Sequence, residues 1–205
     1  MKQVDKQHYS FERYCYPERW ASYYHQLREV LSSNPKSILE VGGGDGVLES
    51  YIKRNLADVI YTSADIAEDL NPDVVAAIDA LPFADASFDV VCAFEVLEHI
   101  PFEKFEKALG ELLRVSRKRV LISVPHFGPP FAVSFKLPFL KEIRFLFKFA
   151  FPKKHVFNGQ HFWEIGKKGY SPRRLRAAIS KLAHIKKEFV PFDSRYHHFY
   201  VLEKS

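Results

Sequence analysis

Apolar and polar residues along the chain alternate between buried-strand runs and helical repeats. Residues 18–33 place Trp20, Tyr23, Tyr24, Leu27, Val30 and Leu31 near a 3.6-residue period, which predicts a helix ended by Asn34-Pro35. Lys36–Val41 is a short apolar run that ends in a glycine cluster, so it reads as a buried strand, and a helix restarts over 47–55. Strands are predicted at 58–65, 87–95 and 118–125, with an amphipathic helix over 101–116 that has Pro101 near its first turn. Ser171-Pro172 provides an N-cap and first helical residue for 171–183, and two closing strands form a hairpin. Strands that alternate with helices imply βαβ units, and hence an α/β domain on a parallel sheet.

The pattern breaks at residue 126, and 126–170 is rich in Phe, Pro and Lys. A helical register over 139–151 puts Phe139, Ile143, Leu146, Phe147 and Ala150 on one face and Lys141, Arg144 and Lys148 opposite. Such a helix would lie on a membrane surface, shelter a lipidic substrate, or form a lid packed on the domain or a second subunit.

Composition narrows the class. A chain of 205 residues suits one domain, expected here as 1–205 with 1–35 capping a cofactor and 126–170 forming a substrate insert. The apolar share, 47%, is ordinary, but 19 Phe and 10 Tyr leave much aromatic surface to place. Cys15 and Cys92 cannot make a disulfide framework, no apolar leader opens the sequence, and no stretch is long and apolar enough to span a bilayer. A cytoplasmic setting, with peripheral membrane contact through 139–151, is the expectation. Charge is split along the chain. Residues 1–125 carry 14 Lys+Arg against 20 Asp+Glu, and residues 126–205 carry 16 against 5. The basic C-terminal part points to an anionic partner such as phospholipid, nucleic acid or a phosphorylated small molecule.

The sharpest motif is Glu40-Val41-Gly42-Gly43-Gly44-Asp45-Gly46, between a strand and a helix. Glycines there permit a tight turn and close approach of a ligand to the main chain, beside the free N–H groups of a helix start. A carboxylate at Glu40 repels a pyrophosphate but suits a cationic ligand carrying an ammonium and a sulfonium. Asp65, at the end of the next strand, is placed to accept ribose hydroxyls. Asp79-Ala80-Leu81-Pro82-Phe83 sets an acidic group beside apolar side chains, suited to an adenine.

The ordered stretches LEVGGGDG, SADI, DALPFADASFDVV and FEVLEHI, over residues 36–125, resemble the class I S-adenosylmethionine-dependent methyltransferases of the type 11 group. That resemblance implies a Rossmann-like seven-stranded sheet with helices on both faces, an antiparallel C-terminal hairpin, and cofactor at the C-terminal strand ends. By motif position Glu40, Gly42, Gly44 and Gly46 would line the methionine, Asp65 the ribose, Asp79, Ala80 and Leu81 the adenine, and Phe94 the rim.

Glu95-Val96-Leu97-Glu98-His99 follows the third clear strand. A helical turn starting there would set Glu95, Glu98 and His99 on one face, as ligands for Mg²⁺ or Mn²⁺. The cluster is similar to the metal site of two O-methyltransferase groups, one acting on catechol-type hydroxyls and one on the terminal ribose of small RNAs. The latter resemblance adds His161, within Gly159–Glu164, to the metal set, although Trp163 and Glu164 stand in swapped order. A second reading has no metal: Glu95 borders the cofactor, Glu98 caps or pairs, and His99 is structural or acid–base, with His161 or His126 as further candidate bases. The expected activity is O-methylation of a small or lipid-like acceptor. The alternatives are an RNA-directed 2′-O-methyltransferase and a non-catalytic cofactor-binding adaptor, and a homo-oligomer is compatible with each.

Overall fold

The runs predicted as strands are buried on both faces and assemble side by side. The structure, a computed structural model, describes residues 6–149 and 153–204. Its strands are β1 (Ser37–Val41), β2 (Ile60–Asp65), β3 (Val74–Val75), β4 (Phe88–Phe94), β5 (Ser116–Pro125), β6 (Pro130–Phe135), β7 (Ile143–Lys148), β8 (Ala183–Phe189) and β9 (His197–Lys204). The helices are α1 (Phe11–Tyr14), α2 (Pro17–Leu31), α3 (Val47–Asn55), α4 (Phe105–Val115) and α5 (Pro172–Ser180).

Seven strands form one sheet in the order β3-β2-β1-β4-β5-β9-β8. The pairings from β3 to β5 are parallel, and β9 runs antiparallel to both β5 and β8. This is the Rossmann-like sheet with a closing antiparallel hairpin that the motif order implies. Successive residues feed opposite faces, as strand geometry requires. Leu39, Val91, Ala93, Val120 and Ile122 join Leu109, Leu112 and Leu175 in one core layer. Ile38, Val90, Cys92, Phe94 and Leu121 join Val30, Leu48 and Ile52 in the other.

Strand order reverses between β1 and β4. Chain connections diverge there and leave a crevice beyond the strands' carboxyl ends, the usual ligand position in this architecture. β9 is antiparallel, so its first residues lie at that same end: His197 pairs with Pro125, the last residue of β5.

The helical reading of 139–151 is overturned. The described part of that stretch is a turn at Phe139 followed by strand β7, and β6 and β7 form a separate antiparallel hairpin with Phe131 opposite Phe147, Val133 opposite Phe145 and Phe135 opposite Ile143. Phe145, Phe147 and Phe149 recur every second residue, and aromatic and β-branched residues favour strands. Ala150 and Phe151 lie outside the described residues. The rest of 126–170 is not all surface. Trp163 and Ile165 are fully buried, and the Ile165 N–H donates to the Pro125 carbonyl at 3.0 Å. Among the described residues no helix is long and apolar enough to cross a membrane.

Candidate active site

The glycine loop leaves β1 at the strand-order reversal. Gly42, Gly44 and Gly46 take φ values of +79°, +57° and +70°, a left-handed region in which side chains bearing a Cβ are strained. The Gly42 N–H donates to the Ala64 carbonyl at 2.8 Å and ties the loop to β2. Three connected cavities surround this loop. The first, about 270 Å³, is lined by Glu40, Gly42–Asp45, Phe94, Glu95, Glu98, His99 and His161. The second, about 290 Å³, lies against Asp65, Ile66, Ala76–Asp79 and Val96. The third, about 340 Å³, lies between Gly43–Gly46 and Asp65. Tyr9 borders all three, and its ring leans 3.2 Å from the position a Cβ would occupy on Gly44. The N-terminal segment therefore covers the groove, with His8, Tyr9 and Tyr14 in edge-to-face contact.

Glu40 is buried beneath the loop, where the Tyr61 hydroxyl donates to it. Burial pushes its carboxyl up to about 7, partly offset by that hydrogen bond. A cation seated above would draw it back to the charged form. Asp65 ends β2, and its Oδ1 accepts from the Ala67 N–H at 2.8 Å. Burial raises its carboxyl above the ordinary range. Asp79 borders the second cavity and faces Lys104 and Lys107 at 3.6 and 3.5 Å. Leu81 does not line the groove. It is buried in the core with its N–H bonded to Glu111, and exposed Ala80 only closes a turn onto the Ala77 carbonyl. The apolar wall there is Ala76, Ala77 and Ile78.

The predicted helical face carrying Glu95, Glu98 and His99 does not form. Glu95 sits at φ +57°, and a 3-10 turn begins only at Leu97. Glu95 lines the same cavity as the other two but is outside the close ligand group, 3.9 Å from His197 Nε2, and burial pushes its carboxyl up to about 7. Glu98, His99 and His161 do come together, with one ligating atom of each within 4.8 Å of the others. Glu98 is completely buried, and neither carboxylate oxygen has a hydrogen-bond partner among the other described residues. Burial, and then the nearby Glu95 charge, pushes its carboxyl well above the ordinary range. Both imidazoles are oriented through Nδ1. His99 Nδ1 donates to the Gln160 carbonyl at 3.1 Å, and His161 Nδ1 donates to Glu164 Oε1 at 3.2 Å. In the neutral rings this puts the lone pair on Nε2. Burial and the neighbouring His161 bring His99 down to about 4, so its ring is neutral at pH 7.

His126 stands outside this group. Its ring stacks on His198, with centroids 5.0 Å apart, and burial brings it down to about 3. It does not border the cavities that hold Glu98 and His99, so it is not placed as the acceptor's base.

Tyr9 lies in the N-terminal segment expected to cap the groove, but Arg19, Gln160 and Tyr196, and Tyr61 beneath Glu40, escape the motif reading. One signal was available for Tyr196. An antiparallel last strand must begin where the parallel strands end, so the residues just before β9 fall beside the site.

Residues 39–124 match the model of a family described as a methyltransferase domain. No curated protein matches the chain. Solved structures share the fold at low identity. One is a 1,6-didemethyltoxoflavin-N1-methyltransferase of Burkholderia thailandensis with bound S-adenosylhomocysteine (15% identical, 91% of this chain and 80% of that one, TM-score 0.59). A second is a magnesium protoporphyrin IX methyltransferase of Synechocystis with bound S-adenosylhomocysteine (13% identical, 92% and 84%, TM-score 0.60). A third is the PH0226 protein of Pyrococcus horikoshii (12% identical, 98% and 100%, TM-score 0.64). Residues 39–124 thus match a methyltransferase domain, and the sheet order is that of the Rossmann-like methyltransferase fold shared by these structures.

Proposed function

We propose that the chain transfers the methyl group of S-adenosylmethionine to a hydroxyl of a small or lipid-like acceptor, with a divalent ion held by Glu98, His99 and His161. The observation that carries this reading is the buried Glu98 carboxylate, without a hydrogen-bond partner among the other described residues, beside two imidazoles whose Nδ1 atoms are already engaged. A buried polar group without a partner is costly, and a cation among these three donors removes that cost. Two nitrogens in a three-donor set favour Mn²⁺ over Mg²⁺. When bound, such an ion lowers the pKa of an acceptor hydroxyl.

The chain's own residues do the remaining work. Glu40 and the glycine loop would hold the methionine end, Asp65 the ribose, and Ala76–Asp79 the adenine. Phe94 and Glu95 border the first cavity together with Tyr14, Arg19 and Tyr196. The Arg19 guanidinium lies 4.3 Å from the centre of the Tyr14 ring, which fixes that wall. Methyl transfer is an in-line displacement, so alignment of the acceptor oxygen with the sulfonium carbon supplies much of the rate.

The test is titration of Mn²⁺ by calorimetry into protein saturated with S-adenosylhomocysteine. One site is expected in the wild type, and Glu98→Ala is expected to weaken it by about 100-fold. Equal Mn²⁺ binding by both proteins, or none by the wild type, overturns the metal assignment. A separate check addresses the cofactor. Loss of hydrogen bonds from the ribose in Asp65→Ala is expected to weaken S-adenosylhomocysteine binding by about 10- to 100-fold. Unchanged affinity would remove Asp65 from the ribose site.

A further inference from the structure

We propose that the β6–β7 hairpin docks the enzyme on an anionic lipid bilayer, with its Leu137–Leu140 tip entering the headgroup region. The pairing register makes one face of the hairpin wholly apolar: Phe131, Val133 and Phe135 stand opposite Phe147, Phe145 and Ile143. All six are exposed, from 46% at Val133 to 69% at Ile143. The tip continues the same character, since Leu137, Phe139 and Leu140 are exposed and the Phe139 ring touches nothing that shields it. A two-stranded ribbon with a bare apolar face gains nothing from water, and so large a patch marks a contact surface.

Charge identifies the occupant. Lys136 and Lys141 bracket the apolar tip, both exposed, with Lys136 Nζ donating to the Leu140 carbonyl at 2.7 Å, and Arg144 on the opposite face is paired with Glu142 at 2.7 Å. Residues 126–205 together hold 16 Lys+Arg against 5 Asp+Glu. Apolar side chains at the end of a ribbon, flanked by lysines that reach back to the headgroups, match an anionic membrane surface. A second copy of the chain would bring the same lysines face to face, which opposes self-association through this surface.

The hairpin is also rooted at the groove. Lys148 donates to the Arg195 carbonyl at 2.8 Å, and the His126 N–H donates to the Tyr196 carbonyl at 2.7 Å. Tyr196 lines the cavity that holds Glu95 and Glu98. An acceptor with an acyl or prenyl tail could thus stay in the bilayer while its hydroxyl reaches the cleft. That clause rests on the proposed acceptor class; the docking itself does not.

The experiment is co-sedimentation of the full chain with phosphatidylcholine vesicles and with mixed phosphatidylcholine–phosphatidylserine vesicles. The wild type is compared with Phe139→Asp/Leu140→Asp and with Lys136→Glu/Lys141→Glu. Binding to the mixed vesicles is expected to exceed binding to phosphatidylcholine alone by about tenfold or more, and each double variant to lose about tenfold or more. Calorimetry with S-adenosylhomocysteine should give the same affinity for all three, which shows that the variants fold. Three results overturn the proposal: no wild-type sedimentation with the mixed vesicles; undiminished sedimentation of the tip variant, which leaves only a charged patch of the kind that binds nucleic acid; or a wild-type dimer in solution that the tip variant splits. Loss of S-adenosylhomocysteine binding by the wild type would sink the cofactor assignment and leave the vesicle result standing.

Discussion

Gly42→Ala is expected to weaken S-adenosylhomocysteine binding by about 100-fold or more and to lower stability by about 1–3 kcal/mol. Two effects add. The residue sits at φ +79°, where a Cβ crowds the backbone, and the added methyl would lie 2.3 Å from Val96 Cγ2. Val96 cannot swing aside cheaply, because a β-branched side chain has few rotamers and this one borders the second cavity. The free loop can shift to relieve the clash, but the ligand needs the unshifted loop, so the strain returns on binding. Gly46 is the control. Its φ is +70°, yet the nearest atom to a built Cβ is the flexible end of Glu49 at 3.9 Å. Asparagine tolerates the left-handed region, so Gly46→Asn is expected to stay within about tenfold of wild type. Calorimetric affinities and urea midpoints of the two variants decide the matter. Equal losses for both would mean that left-handed strain alone, without the Val96 contact, governs the loop.

That contrast bears on what the sequence discloses. The strand–glycine loop–helix unit, β4 and β5 are legible because each strand is a buried run with turn residues near its end, and α4 because its buried residues recur at helical spacing. The hairpin at 130–148 was open to two readings. Phe139, Ile143, Leu146 and Phe147 satisfy a helical period, while Ile143, Phe145 and Phe147 satisfy a strand period. What decided between them is a partner: Phe131, Val133 and Phe135 repeat the same alternation and pair in register. A period read from one segment carries no information about its neighbour. The acidic cluster failed in a similar way. Glu95, Glu98 and His99 have helical spacing, but the backbone at Glu95 is left-handed and the 3-10 turn starts only at Leu97, so the three share a cavity without sharing a helical face. Glu98, His99 and His161 meet where the returning segment crosses the 3-10 turn; spacing offered only Glu98 and His99 of these, and His161 came from the resemblance alone. Leu81 points into the core although it lies two residues after the cavity-lining Asp79, because neighbouring residues on a turn can face either side.

The second large effect concerns that returning segment. Trp163→Ala is expected to cost about 3–5 kcal/mol of folding stability, read as a lower urea midpoint without ligand. The indole is fully buried against Phe102 and Phe105, with ring centroids 5.1 and 5.9 Å away, and its N–H donates to the Ile100 carbonyl at 3.1 Å. Removal leaves a large cavity and an unpaired carbonyl. Trp163→Phe keeps most of the packing and loses the hydrogen bond and part of the ring, so a smaller cost of about 1–2 kcal/mol is expected. The functional consequence is selective. Trp163 and the Phe162 N–H, which donates to the Glu98 carbonyl at 2.8 Å, are the bolts that hold His161 over the 97–99 turn. The glycine loop and Asp65 have no such tie to 160–165. At a temperature where Trp163→Ala is still folded, Mn²⁺ affinity should therefore fall by about tenfold or more while S-adenosylhomocysteine affinity changes little. A parallel fall in both would mean that the indole supports the whole groove. An unchanged Mn²⁺ affinity would mean that His161 is held without the indole, by Glu164, by Asn158 Oδ1, which accepts from its N–H at 2.8 Å, and by His155, which donates to its carbonyl.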